Sequence, residues 1–327
     1  MPKKKNLRVL SGIQPSGVLH LGNYFGMMSR MIQYQKENEL FCFIANYHAM
    51  TTLPDSNTLS TNTFHAACDF LALGMDPEKS TFWVQSDVPQ VTELTWVLAS
   101  HASVGLLDRA TSYKDKIAQG IKPNMGLYSY PVLMAADILL FDSQIVPVGK
   151  DQKQHLEMTR DMAIRFNHTF GEIFVVPEPD IEKSTQLVPG IDGQKMSKSY
   201  KNTIPIFDEE KKIRKQIMRI VTDTTDIDEP KDKDTPLFHL YALFLDENGL
   251  KELANRYDGK GLRYGDVKQE LFEKVMDHFG PFREKRTQLV SNPNQVYDIL
   301  DMGAKKAQQV ADSVLDRVRS VAGVNYR

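Results

Sequence analysis

The sequence predicts a two-part α/β protein, with a doubly wound parallel sheet in its first two hundred residues and a mostly helical second part. Three observations lead there. The chain has 327 residues, more than a single hydrophobic core usually serves. Up to residue 204, short apolar runs alternate with longer amphipathic stretches, the pattern of parallel strands joined by helices. Beyond Pro205 the strand-like runs cease and apolar residues recur at helical spacing. The expected division is 1–204 and 205–327.

Strands are expected at residues 7–10, 40–45, 81–85, 144–148 and 173–176, each a short apolar run followed by a helical connection. A Rossmann-like sheet of this kind binds its ligand at the carboxyl ends of the strands, so motifs just after strands carry most weight. In the second part Ile213, Ile217 and Ile220 share a helix face, and a polar stretch follows at 222–236. Residues 294–321 carry a stripe of Val296, Leu300, Val310, Val314 and Val318, interrupted at Gly303.

The composition, 41% hydrophobic and 25% charged, is that of a globular protein. Cys42 and Cys68 form no Cys-x-x-Cys pair and have no histidine at zinc spacing, so neither a disulfide framework nor a structural metal is expected, and a reducing compartment is. Met-Pro-Lys-Lys-Lys at the start is followed by no apolar run, and no stretch is long enough to span a bilayer; the expected location is the cytoplasm. A net charge of -2 proposes no nucleic-acid partner by itself, and a DNA partner is not expected.

The first strand leads into Ser11-Gly12-Ile13-Gln14-Pro15-Ser16-Gly17 and then His20-Leu21-Gly22-Asn23, at the expected start of a helix. Glycines allow close backbone approach and a helix N-terminus favours phosphate, which makes Gln14, His20, Gly22 and Asn23 nucleotide-site candidates. The same turn could simply cap a helix. A second signal is Lys195-Met196-Ser197-Lys198-Ser199, with Gly190 and Gly193 before it. Two lysines three apart in a glycine-flanked loop suit a mobile phosphate clamp, or else a solvated charge run. No P-loop and no His-Glu-x-x-His is present, and Gly259, Gly261 and Gly265 follow no strand.

A helix expected to begin at Tyr130-Pro131 places Tyr130, Met134 and Asp137 on one face. A carboxylate among Pro-Val-Leu-Met-Ala-Ala and Ile-Leu-Leu-Phe is costly to bury unless it accepts hydrogen bonds.

Together, the His-x-Gly-Asn turn and the Lys-Met-Ser-Lys-Ser loop resemble the paired signature of class I aminoacyl-tRNA synthetases. Tyr-Pro-Val-Leu-Met-Ala-Ala-Asp-Ile-Leu-Leu and Val-Pro-Val-Gly-Lys-Asp-Gln-Lys-Gln-His-Leu-Glu resemble the bacterial tryptophanyl-tRNA synthetases, along nearly the whole chain. The resemblance implies ATP, with Mg²⁺ carried on its phosphates and no protein metal site. It also implies L-tryptophan and tRNA(Trp) as partners, a homodimer, and a helical part that reads the anticodon. It gives Asp137 the indole N–H, with Met134, Val146 and Val148 as apolar walls and Leu10 and His48 beside them. Tyr130 and Gln152 would hold the ammonium and carboxylate. Gly149, Asp151 and Gln152 would meet the nucleotide, with Asp151 on the ribose. Lys116, Lys195, Lys198 and His20 would stabilise charge on the phosphates, with Met196 in the same loop.

Leu10, Lys150 and His20 stand where family members often carry Phe, Glu and Thr. Lys211, Lys212, Arg214 and Lys215 read better as a solvated helix face than as an RNA contact. Leu-Val-Pro-Gly-Ile-Asp-Gly-Gln, before the lysine loop, is shared in character with tyrosyl-tRNA synthetases, which makes tyrosine the rival substrate. A free-standing nucleotidylyltransferase and a non-catalytic tryptophan or RNA binder are the remaining rivals.

Overall fold

The computed structural model describes residues 6–52, 55–118, 120–149, 152–181 and 188–326; Lys150 and Asp151 lie outside the described residues. Its centre is one sheet of five parallel strands: β1 (Arg8–Ile13), β2 (Glu39–Ile44), β3 (Ser80–Val84), β4 (Ile145–Pro147) and β5 (Glu178–Asp180), in the order β3-β2-β1-β4-β5. Four strands fall where the apolar runs predict them. The fifth does not: residues 173–176 are an irregular loop, and pairing begins at Glu178, whose N–H donates to the Gln144 carbonyl at 2.9 Å. The cause is Asn167, near the end of the preceding helix Lys153–Phe170. Its Oδ1 accepts from the N–H groups of Ile173 and Phe174 at 3.1 and 2.9 Å, so these donors are satisfied before the chain reaches the sheet.

Successive strand residues point to opposite faces. Val9, Leu40, Cys42, Ile44, Phe82 and Val84 enter one core, and Leu10, Phe41, Phe43 and Trp83 enter the other. Apolar on both faces, the strands read as continuous runs rather than alternating ones. The first core continues without a break into the helical part through Ile213, Ile217, Ile220, Leu237, Leu271 and Phe279. The second takes Ala304, Ala307, Ala311, Val314, Leu315 and Val318 from the last helix, Pro293–Ala322, so the end of the chain returns to the sheet. Gly303 does not interrupt this helix. It is the point of closest approach to β3, where a Cβ would stand 1.8 Å from the Phe82 carbonyl oxygen, a position no larger residue can share.

Because β1 and β4 are neighbours while the connections leave them in opposite directions, the sheet has its switch point between them. The crevice beyond their carboxyl ends is therefore set by topology. Among the described residues no helix is long and apolar enough to cross a membrane.

Candidate active site

β1 delivers the first motif to that crevice. His20 has extended backbone (φ −132°) and precedes the helical turn Leu21–Asn23, which runs on through a π-helical turn, Tyr24–Met28, into Ser29–Tyr34. The Asn23 carboxamide oxygen accepts from the His20 N–H at 3.2 Å, which ties the side chain to its own turn with the –NH₂ as its donor end. Residues 204–206 clamp the turn from outside: Leu21 N–H donates to the Ile204 carbonyl, and Ile206 N–H to that of Leu19, both at 3.0 Å.

The lysine loop is seated on the same turn. Gly22 N–H donates to the Met196 sulfur at 3.2 Å, and a Cβ at Gly22 would press on both the His20 ring and Met196 Cβ at 3.1 Å. Met196 is buried there as a plug between the two motifs. Lys198 Nζ donates to the Ser16 carbonyl at 2.9 Å and lies 3.2 Å from its hydroxyl. Burial lowers the Lys198 pKa, with Asp69 opposing. Burial first, and the Lys198 ammonium second, push His20 down to about 4. His20 is thus a neutral imidazole at physiological pH. Its Nδ1 is buried without a hydrogen-bond partner among the described residues, so the ring retains bonding capacity. Lys195 is exposed.

On the far side of the crevice, the helix that carries Asp137 spans Met125–Leu139, beginning five residues before the expected Tyr130-Pro131. Asn124 starts it, its side chain accepting from Leu127 N–H at 2.8 Å. Pro131 therefore sits inside the helix, where it leaves the Leu127 carbonyl without its usual donor. The phase is unchanged: Tyr130 and Asp137 are buried and Met134 is half-buried on the same run.

Asp137 is 3% exposed. Gln85 Nε2 donates to both its oxygens at 2.8 and 2.9 Å, and His48 Nε2 lies 2.8 Å from Oδ2 and donates to it. The Gln85 oxygen accepts from Tyr47 N–H at 3.0 Å, which turns its –NH₂ toward the carboxylate. Burial raises the Asp137 pKa, while His48 and Gln85 hold it back. A carboxylate has about four acceptor directions. Three are used, and one on Oδ1 is left for a further donor.

Beside it, His155 Nδ1 lies 3.0 Å from the Gln152 carboxamide oxygen, so Nδ1 carries the proton and Nε2 accepts from the Tyr130 hydroxyl at 2.5 Å. Sequence reasoning missed Gln85 and His155. The available signals were a polar residue directly after β3 and a histidine three residues beyond Gln152, on the first turn of the next helix.

Residues 2–280 match the family of tRNA synthetases class I (W and Y). The chain belongs to this family. A tryptophan–tRNA ligase of Fusobacterium nucleatum is 51% identical over 318 residues, 97% of this chain and 98% of that protein. Among solved structures, the tryptophanyl-tRNA synthetase of Campylobacter jejuni complexed with ADP and tryptophan superposes with a TM-score of 0.93 at 51% identity, covering 97% of this chain and 100% of that one. The enzyme from Mycoplasma pneumoniae gives 0.83 at 31% identity, covering 97% and 98%.

The other residues expected at the site lie along the same crevice and its apolar wall. Leu10 and Val146 are buried, and Val148 half-buried, in the apolar cluster that also holds the Asp137 helix. Gln14 is exposed just past β1, its carbonyl accepting from Ser16 N–H at 2.8 Å. Gly149 is exposed past β4, its carbonyl accepting from Gln152 N–H at 3.0 Å. Lys116 lies with Nζ 4.8 Å over the Tyr130 ring, and burial lowers its pKa; the structure thus joins it to the Tyr130 end of the crevice. Lys212 pairs with Asp208 at 3.1 Å and Arg214 with Gln269 at 3.1 Å on the helix Glu210–Met218, as a solvated face would.

Proposed function

We propose that the chain activates L-tryptophan with ATP to tryptophanyl-adenylate and diphosphate, and transfers the tryptophanyl group to tRNA(Trp). The observation that carries this reading is Asp137, a buried carboxylate with both oxygens oriented by Gln85 and His48 and one acceptor direction left over. An indole N–H satisfies it; a phenyl ring does not. A site of this design rejects analogues that lack the donor by roughly 10⁴- to 10⁵-fold.

In this reading the substrate carboxylate, already ionised at neutral pH, attacks the α-phosphorus in line, so no general base is needed. Rate enhancement comes from positioning and from groups aimed at developing phosphate charge. Tyr130 and Gln152 orient the amino acid; Asp151 holds the ribose; Lys195, Lys198, His20 and Lys116 serve the phosphates. Mg²⁺ would ride on the phosphate oxygens, which it prefers to a protein cage; among the described residues no group of three His, Cys, Asp or Glu side chains could hold a metal. We assign tRNA recognition to the helical residues 205–327 and place the protein in the cytoplasm. A homodimer rests on the resemblance to the tryptophanyl-tRNA synthetases.

ATP–pyrophosphate exchange, run separately with tryptophan, tyrosine and phenylalanine, tests the proposal. Exchange with tryptophan alone is expected. Exchange with tyrosine would reassign the substrate, and exchange with none would overturn the ligase reading.

A further inference from the structure

Asn202 stands outside both signature motifs, yet its side chain is 1% exposed beneath the lysine loop. Its Oδ1 accepts from Ser197 N–H at 2.8 Å; its Nδ2 donates to Asp192 Oδ1 at 2.8 Å and to the Lys195 carbonyl at 3.1 Å. Its backbone carbonyl accepts from Ile191 N–H at 3.0 Å. Asp192 Oδ1 also accepts from Gln194 N–H at 3.0 Å, so the Asp192–Asn202 bond closes the loop across its base. Gly190 makes room for this arrangement, since a Cβ there would stand 2.2 Å from Asn202 Nδ2.

Both amide hydrogens of Asn202 are spent within residues 192–197, its oxygen is turned onto Ser197, and the residue is buried, so the side chain holds the loop rather than facing a ligand. What it fixes is the backbone on either side of Met196, the residue that plugs onto Gly22. The direction in which Lys195 and Lys198 leave the loop depends on that backbone.

We propose that Asn202, anchored by Asp192, is a positioning residue that sets the lysine loop over the His20–Asn23 turn and thereby determines how the two lysines meet the nucleotide phosphates. This rests on the ligase reading above. Asn202→Asp keeps the acceptor for Ser197 but loses both donations and sets a second carboxylate against Asp192. Adding Asp192→Asn restores a donor across the base of the loop.

The experiment measures tryptophan affinity by equilibrium dialysis, saturated exchange rate, and trypsin cleavage after Lys195 and Lys198. Misplacing a catalytic group by about 1 Å costs on the order of 100-fold in rate, and that loss is expected for Asn202→Asp, with tryptophan affinity unchanged within about 2-fold. Faster loop cleavage should accompany it, and the double variant should recover about 10-fold of the rate, since one of the two lost bonds is remade. Gly190→Ala, which displaces the amide without changing its chemistry, should reproduce the single variant if Asn202→Asp does not fold. Full exchange in Asn202→Asp, loss of tryptophan binding in step with rate, or a double variant no better than the single would each overturn the inference. Absence of exchange in the wild type would instead count against the ligase reading, and the cleavage rates would still decide whether Asn202 holds the loop.

Discussion

Asp137→Ala should cut tryptophan-dependent exchange by about 10³-fold in kcat/KM, and the reason lies on the protein side as much as on the substrate. Removing the carboxylate takes the acceptor from the indole N–H and also leaves the Gln85 –NH₂ and the His48 Nε2–H facing an apolar void. Each buried donor left unpaired costs roughly 1–3 kcal/mol, and every 1.4 kcal/mol is a factor of ten. Exchange kinetics alone would not separate a lost contact from a collapsed pocket. A tryptophan analogue with sulfur in place of the indole N–H does: the wild type should reject it by roughly 10⁴-fold, and Asp137→Ala should hardly distinguish the two. A variant that still prefers tryptophan strongly would remove Asp137 from the indole contact and leave it a core carboxylate.

The sequence made this helix face legible because helical spacing is arithmetic: Tyr130, Met134 and Asp137 share a face wherever the helix starts. Its start was not legible, since a proline read as a first-turn residue while the true cap, Asn124, was one polar residue among several. Four strands were visible as apolar runs. The fifth was displaced by a side chain, Asn167, whose claim on two backbone donors has no periodic signature. At the site, the residues expected to touch substrate stood in recognisable motifs, Gln14 and His20 after β1, Gly149 after β4 and Asp137 on an apolar helix face, whereas Gln85 and His155 act by orienting neighbours 52 and 25 positions away. A polar residue at a strand end looks the same in sequence whether it faces solvent or a buried carboxylate. Gly303 makes the same point for packing. Read along the chain it weakens a stripe, and in the fold it is what lets the last helix lie against β3.

Lys198→Met should lower the saturated exchange rate by roughly 10²- to 10³-fold, the usual effect of removing one preorganised group from developing charge, while tryptophan affinity stays the same. The split is expected because the lysine loop packs on the His20–Asn23 turn, and the Asp137, Gln85 and His48 bonds involve no atom of that loop. In this structure the Lys198 ammonium rests on the uncharged oxygens of Ser16, partly buried and with a lowered pKa. A triphosphate oxygen offers full charge in place of a carbonyl, so exchanging Ser16 for the nucleotide is favourable and directional. His20 provides an internal readout of the same ammonium. Its pKa of about 4 is set first by burial and then by Lys198, so in Lys198→Met the imidazole should titrate part of the way back toward 6.5, as proton NMR would follow. A reduced rate with an unmoved His20 titration would mean that the ammonium acts elsewhere than over the His20–Asn23 turn. Full exchange in Lys198→Met would take this lysine out of the phosphate site and leave the exposed Lys195 to supply the charge.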